Sequence, residues 1–193
     1  MKKVINVIIT SLIASTGYCQ RVQEYYQQDK KLSVAIADNT KAVEINPREG
    51  DSHFRRGLAK LGLQDLKGAI KNYTLAIGID SMNADSYYYR GLAKGGIKDF
   101  KGAINDFTQA IKIDPKKTIT YFGRGISKGS LNDNQGAISD FSKVIDIDPW
   151  DTEAYGYRAL EKLGLEDFKG GIDDCSRTIE INPDKSDPYL IRG

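Results

Sequence analysis

Histidine is nearly absent from this 193-residue chain: His53 is the only one. That count excludes a metal cage built on imidazoles and a paired-histidine acid–base site. The two cysteines, Cys19 and Cys175, cannot make a disulfide framework. Stability must therefore come from packing. No charge sign dominates either, with 28 Lys and Arg against 26 Asp and Glu. Lys2 and Lys3 fall in a segment read below as removed, which leaves 26 of each sign. A balanced chain without a basic cluster is not built to neutralise phosphates, so no nucleic-acid partner is expected. No apolar run approaches the roughly 20 residues that span a bilayer. What remains, 40% apolar and 28% charged residues, is the composition of one or two soluble globular domains.

The first twenty residues read MKKVINVIITSLIASTGYCQ. Two lysines precede a short apolar stretch, residues 4–14, and then the small residues Ser15, Thr16 and Gly17. That order is the pattern of a secretory signal. Cleavage after Cys19 would put Gly17 and Cys19 at the two small-residue positions and leave Gln20 as the new terminus. The expectation is a signal peptide at 1–19 and an extracytoplasmic protein, periplasmic or secreted. A lipid anchor on Cys19 would be the one route to membrane contact, and the bulky Tyr18 before it argues against that route.

Beyond this segment one period organises the chain. Gly-Ala-Ile occurs at Gly68-Ala69-Ile70, Gly102-Ala103-Ile104 and Gly136-Ala137-Ile138, then as Gly170-Gly171-Ile172, each 34 residues after the last. Arg-Gly keeps the same step at Arg56, Arg90, Arg124 and Arg192, with Arg158-Ala159 in the fourth place. Prolines follow at Pro47, Pro115, Pro149 and Pro183. Within a period the spacing is helical. Tyr87, Arg90, Gly91 and Lys94 share one face of a first helix, and Ala103, Phe107, Ala110 and Ile111 one face of a second. Gly91 and Ala103 would let two backbones approach while Phe107 fills the space beside them. Asp65, Asp99, Asp133 and Asp167 recur one residue before the second helix, where a side chain accepts orphan backbone N–H groups. Proline closes every period but the one that has Ser81 in its place, because it disfavours helix at the residue before it.

These residues resemble the tetratricopeptide repeat family. Its Trp-x2-Leu-Gly-x2-Tyr…Ala-x3-Phe…Pro pattern is met here as Tyr87-x2-Arg90-Gly91-x2-Lys94…Ala103-x3-Phe107…Pro115. The resemblance implies an all-α fold, a right-handed superhelical solenoid of stacked antiparallel helix pairs. It divides the mature chain, 20–193, into a degenerate first repeat at 20–49, full repeats at 50–83, 84–117, 118–151 and 152–185, and a truncated one at 186–193. Arg and Lys replace the usual Leu and Tyr in all four full repeats. In the fourth, Gly171, Cys175 and Thr178 weaken the second helix, where looser packing is expected.

Function is expected on the concave face that such solenoids use for binding. The resemblance places the second, fifth, ninth and twelfth residue of each repeat there. The candidates are Phe54, Leu58, Tyr88, Leu92, Phe122, Ile126 and Leu160, with Tyr157 in a neighbouring slot. An aromatic and aliphatic stripe suits a protein or peptide partner that inserts apolar anchors. The same residues could instead pack first helices together, and the sequence leaves both open. Family members that clamp a carboxylate use Lys and Asn at these positions, which apolar residues fill here.

The arginine row (Arg56, Arg90, Arg124, Arg158) reads as a structural row whose heads meet Asp106, Asp140 and Asp174 on the next helix. Asn72 breaks that pattern in the first repeat. The lysine row (Lys60, Lys94, Lys128, Lys162) reads as solvated helix ends, and His53 and Cys175 as packing residues. Trp150, after Pro149, reads as turn packing or an exposed anchor. Only His53 could serve as the base of a nucleophilic triad, and it reads as packing, so no such site is expected; no glycine loop for phosphate is present. The expectation is therefore no catalysis, no cofactor, no metal and no small-molecule substrate. The rival reading makes these repeats the N-terminal recognition part of a larger enzyme or membrane-associated protein, because the last repeat lacks a second helix and cap. Self-association through open solenoid ends is the third.

Overall fold

The computed structural model describes residues 16–182, which are helical with no strand among them. A long helix, α1 (Thr16–Ile45), precedes four hairpins. These pair α2 (Gly50–Gly62) with α3 (Leu66–Ile79), α4 (Ala84–Gly96) with α5 (Phe100–Ile113), α6 (Thr118–Gly129) with α7 (Asn134–Ile147), and α8 (Thr152–Gly164) with α9 (Phe168–Ile181). Each helix packs on the one before and the one after it. The first helices of successive hairpins also touch, whereas the second helices do not touch one another. The stack therefore has an inner face of α2, α4, α6 and α8, and an outer one of α3, α5, α7 and α9. Residues 1–15 and 183–193, with most of the expected signal segment and the truncated repeat, lie outside the described residues.

The hairpin turn is the same four times. Gln64, Lys98, Asn132 and Glu166 take left-handed backbone, φ 60° to 64°. The next N–H then reaches back five residues, from Asp65 to the carbonyl of Lys60 at 2.9 Å and from Asp99 to that of Lys94 at 2.9 Å. That bond closes a Schellman motif. The same aspartates start the second helix, Asp65 accepting from the Gly68 N–H at 2.9 Å and Asp133 from that of Gly136 at 3.0 Å. One residue thus ends one helix and begins the next, which fixes the angle between them.

Close approach follows from the small residues. Ala69, Ala103 and Ala137 are fully buried. A Cβ on Gly57, Gly91 or Gly125 would lie 2.6 to 2.8 Å from a ring carbon of Tyr73, Phe107 or Phe141. The aromatic of the second helix therefore lies on the bare backbone of the first.

The arginine row ties three helices together. Arg90 donates to both carboxylate oxygens of Asp106, at 2.9 and 2.7 Å, and to the Thr74 hydroxyl of the preceding hairpin at 3.2 Å. Arg124 repeats this with Asp140 and Thr108, and Arg158 with Asp174 and Ser142. In the first hairpin Arg56 donates to Asn72 at 2.6 Å and to Thr40 of α1 at 3.4 Å. The lysine row is not free, contrary to the sequence expectation. Lys94, Lys128 and Lys162 each lie 2.8 Å from the buried aspartate that their arginine holds. Arg and Lys stand four apart on one helix face, so both reach the same carboxylate. His53 is buried with Nε2 3.3 Å from the Pro47 carbonyl, the place that the Tyr121 hydroxyl takes at Pro115.

Of residues 20–49, read as a degenerate repeat, 20–45 belong to one 30-residue helix rather than a hairpin. Its C-terminal half takes the role of a second helix: Thr40 meets Arg56, and Leu32 lies where a Cβ on Gly62 would be.

Candidate protein-binding face

The stripe predicted for the concave face falls on the inner helices and separates into two kinds of residue. The rings pack between helices. Phe54 is half-buried, with its centroid 5.8 Å from Tyr73 and 5.7 Å from Tyr89 of the next first helix. Leu58 is half-buried in the same cluster. Two hairpins on, Phe122 repeats the arrangement with Phe141 at 5.4 Å and Tyr157 at 5.1 Å. Between these clusters the pattern shifts. Gly123 stands in the register of Tyr89 and Tyr157, and a Cβ there would lie 2.9 Å from Phe107. Tyr88 is accordingly buried, 6% exposed and 5.9 Å from Phe107. Burial pushes its hydroxyl pKa up to about 12. Its place is in the core, not on an open surface.

The aliphatic row faces outward from this seam. Leu92 is 36% exposed, Ile126 38% and Leu160 54%, at one position of consecutive first helices. Tyr157 is 39% exposed and offers one edge of its ring. Ile119 and Leu163, also exposed, extend the apolar surface along α6 and α8. Beside them Gly95 and Gly156 leave hollows, since a Cβ at either would meet nothing within 4 Å.

Charges near this surface are mostly paired. Asp51 pairs with Arg55, and Asp85 with Lys117, whose ammonium also lies 5.1 Å over the Tyr88 ring. Glu161 differs. Its carboxylate occupies the space that a side chain at Gly129 would take, between two first helices. Burial raises its pKa above the ordinary carboxylate value, with no cation to oppose the shift. Sequence reasoning passed over this residue. The signal was its register: Ala59, Ala93 and Ser127 precede it at 34-residue steps, and all three are buried.

Of the other residues singled out, Trp150 is 68% exposed, with the Arg177 guanidinium 5.8 Å from its ring. Cys175 is half-buried, and burial pushes its thiol pKa up. A thiol so shifted is a poor nucleophile. Among the described residues no group of three His, Cys, Asp or Glu is placed to hold a metal ion, and no helix is long and apolar enough to cross a membrane.

Comparison with known proteins bears on the fold. The family model described as "Tetratricopeptide repeat" matches residues 84–117. No curated protein matches the chain. Among solved structures, MamA superposes with a TM-score of 0.77 at 20% identity, covering 86% of this chain and 94% of that one. YrrB, described as a TPR protein with an unusual peptide-binding site, gives 0.74 at 19% identity, covering 88% and 85%. The first TPR of Spaghetti (RPAP3), bound to the HSP90 peptide SRMEEVD, gives 0.60 at 22% identity, covering 61% and 94%. The chain has the fold of a tetratricopeptide solenoid, and its hairpin at 84–117 matches the repeat model of that family.

Proposed function

We propose that this chain is an exported protein-interaction scaffold that holds a peptide or partner protein on its inner face. The observation that carries the reading is the aliphatic row Leu92, Ile126 and Leu160, exposed at one repeat position on helices fixed from both sides. A row that keeps 36% to 54% of its surface open on a preformed support offers apolar anchoring at little ordering cost. Two structures of the same fold are described with peptides, YrrB through its peptide-binding site and the RPAP3 repeat domain through its HSP90 peptide. Export rests on the N-terminal pattern of lysines, apolar stretch and small residues.

A photocrosslinking amino acid placed at position 92, 126 or 160 tests the reading in the native host. Adducts should form there and not from Lys101 or Lys143, exposed residues of the outer helices. Equal adducts from both faces would remove the inner face as the binding surface. Serine at all three row positions should abolish capture and keep the helical circular-dichroism signal. For export, N-terminal sequencing of the extracytoplasmic fraction should begin at Gln20, and an intact Met1 terminus would refute the cleavage.

A further inference from the structure

The two halves of the inner face differ in charge. Near α2 and α4 the acidic residues have cations of their own: Asp51 has Arg55 and Asp85 has Lys117. The aspartates behind α4, α6 and α8 are each gripped by an arginine and a lysine. Glu161 has no ion-pair partner among the described residues, although it is half-buried. Its position explains why. The carboxylate lies on the bare backbone of Gly129, between α6 and α8, and the nearby cations Lys128 and Lys162 are committed to Asp140 and Asp174. An unpaired carboxylate withdrawn from water costs stability that no contact within the described chain returns. At the preceding steps of the same register Ala59, Ala93 and Ser127 avoid that cost.

The surroundings of this carboxylate are apolar and open. Ile126, one turn before Gly129 on α6, and Leu160, next to Glu161 on α8, are 38% and 54% exposed. Glu161 is the half-buried acid of this aliphatic surface, with Glu153 exposed two turns earlier on α8, and an acid so placed selects a ligand that is apolar with a positive centre. An acidic ligand would be repelled, and a wholly apolar one would bury Glu161 without a partner.

We infer that the α6–α8 stretch of the inner face docks a peptide segment carrying a lysine or arginine among apolar residues, its cation paired with Glu161 and its apolar side chains covering Ile126 and Leu160. The inference rests on the scaffold reading above and narrows it to one chemistry. The raised pKa of Glu161 is the cost that such a cation would remove.

A library of random peptides displayed on phage, selected on the immobilised full chain, tests it. Recovered peptides should be enriched in Lys or Arg flanked by Leu, Ile, Val or Phe. A recovered basic peptide should bind Glu161→Gln about ten-fold more weakly, the worth of one charge-assisted hydrogen bond near a surface. Its version with norleucine for the basic residue should bind both proteins alike. Leu160→Ser should weaken every recovered peptide, whatever its charge. Peptides that depend on Leu160 yet show no basic preference, or a preference unchanged by Glu161→Gln, would overturn the inference and leave the scaffold reading standing. Recovery of no peptide would overturn both. Concentration-dependent dimerisation of the chain alone, lost in Leu160→Ser, would make a second copy the occupant and overturn the inference too.

Discussion

Arg90 holds Asp106 by both carboxylate oxygens, at 2.9 and 2.7 Å, across the 16 residues that separate the two helices of a hairpin. Asp106 has no exposed surface, whereas the Arg90 side chain keeps 15% of its own. The charge at the centre of the hairpin is therefore the carboxylate. The cations reach it from the rim, Arg90 stacked 5.5 Å over Tyr87 and Lys94 one turn further along. A buried carboxylate with two cations and fixed geometry positions helices as well as stabilising them, since only one register satisfies all three groups.

Removing the carboxylate should cost more than neutralising it. Asp106→Ala leaves two cations facing an empty pocket and should destabilise the chain by about 3–5 kcal/mol. Asp106→Asn should cost about half as much, because the first hairpin already works that way, with Arg56 donating to Asn72 at 2.6 Å. Urea denaturation followed by circular dichroism measures both. Equal losses would show that the carbonyl oxygen of an amide gives Arg90 no useful acceptor.

The same device makes acid stability legible at Asp174. Burial pulls its pKa upward, but hydrogen bonds from Arg158 and Lys162 prevail and hold it below the ordinary value of 3.8. A folded pKa below the unfolded one means stabilisation that is complete above about pH 4 and lost as pH falls toward the depressed value. The urea midpoint of the wild-type chain should therefore decline below about pH 4. Asp174→Asn should start lower and decline less steeply over that window. Parallel declines would assign the acid limb to other carboxylates.

Much of this was readable before any coordinates, because a strict 34-residue register turns each position into four observations. The second-helix caps Asp65, Asp99, Asp133 and Asp167, the contact of Gly91 with Phe107, and the pairing of Arg90 with Asp106 were all expected, and all are present. What register could not show was competition for one group. Lys94 looks like a surface lysine until Asp106 is placed within its reach. The division of the inner stripe was hidden for a similar reason. Whether a ring lies in the seam depends on the neighbour 35 residues away, Tyr89 for Phe54 but Gly123 for Tyr88. The single helix over 20–45 had a readable signal that the repeat pattern masked: no glycine or proline interrupts that stretch.

The four left-handed turn residues carry a removable strain. Gln64, Lys98, Asn132 and Glu166 all hold φ near 60°, a conformation that costs an L-residue about 1 kcal/mol and asparagine less. Lys98→Gly should stabilise the chain by about 0.5 kcal/mol once the greater freedom of glycine in the unfolded state is deducted. Asn132→Gly should gain less than Lys98→Gly in parallel thermal melts. A loss at Lys98 would mean that its side chain makes contacts worth more than the strain.

Two helix glycines should respond to alanine with opposite signs. A methyl on Gly91 would lie 2.8 Å from Phe107, a ring only 2% exposed with no room to turn, so Gly91→Ala should destabilise by about 1–3 kcal/mol. At Gly156 nothing lies within 4 Å, so the methyl meets open space on the inner face. Helix propensity alone should then stabilise Gly156→Ala by about 0.5–1 kcal/mol. No contact among the described residues accounts for a glycine in the middle of α8, while close approach of a bound segment beside Leu160 would account for it. Gly156→Ala should therefore raise the unfolding midpoint and weaken peptide binding together. A variant that is more stable and binds as well as the parent would show that the hollow at 156 is not used by the partner.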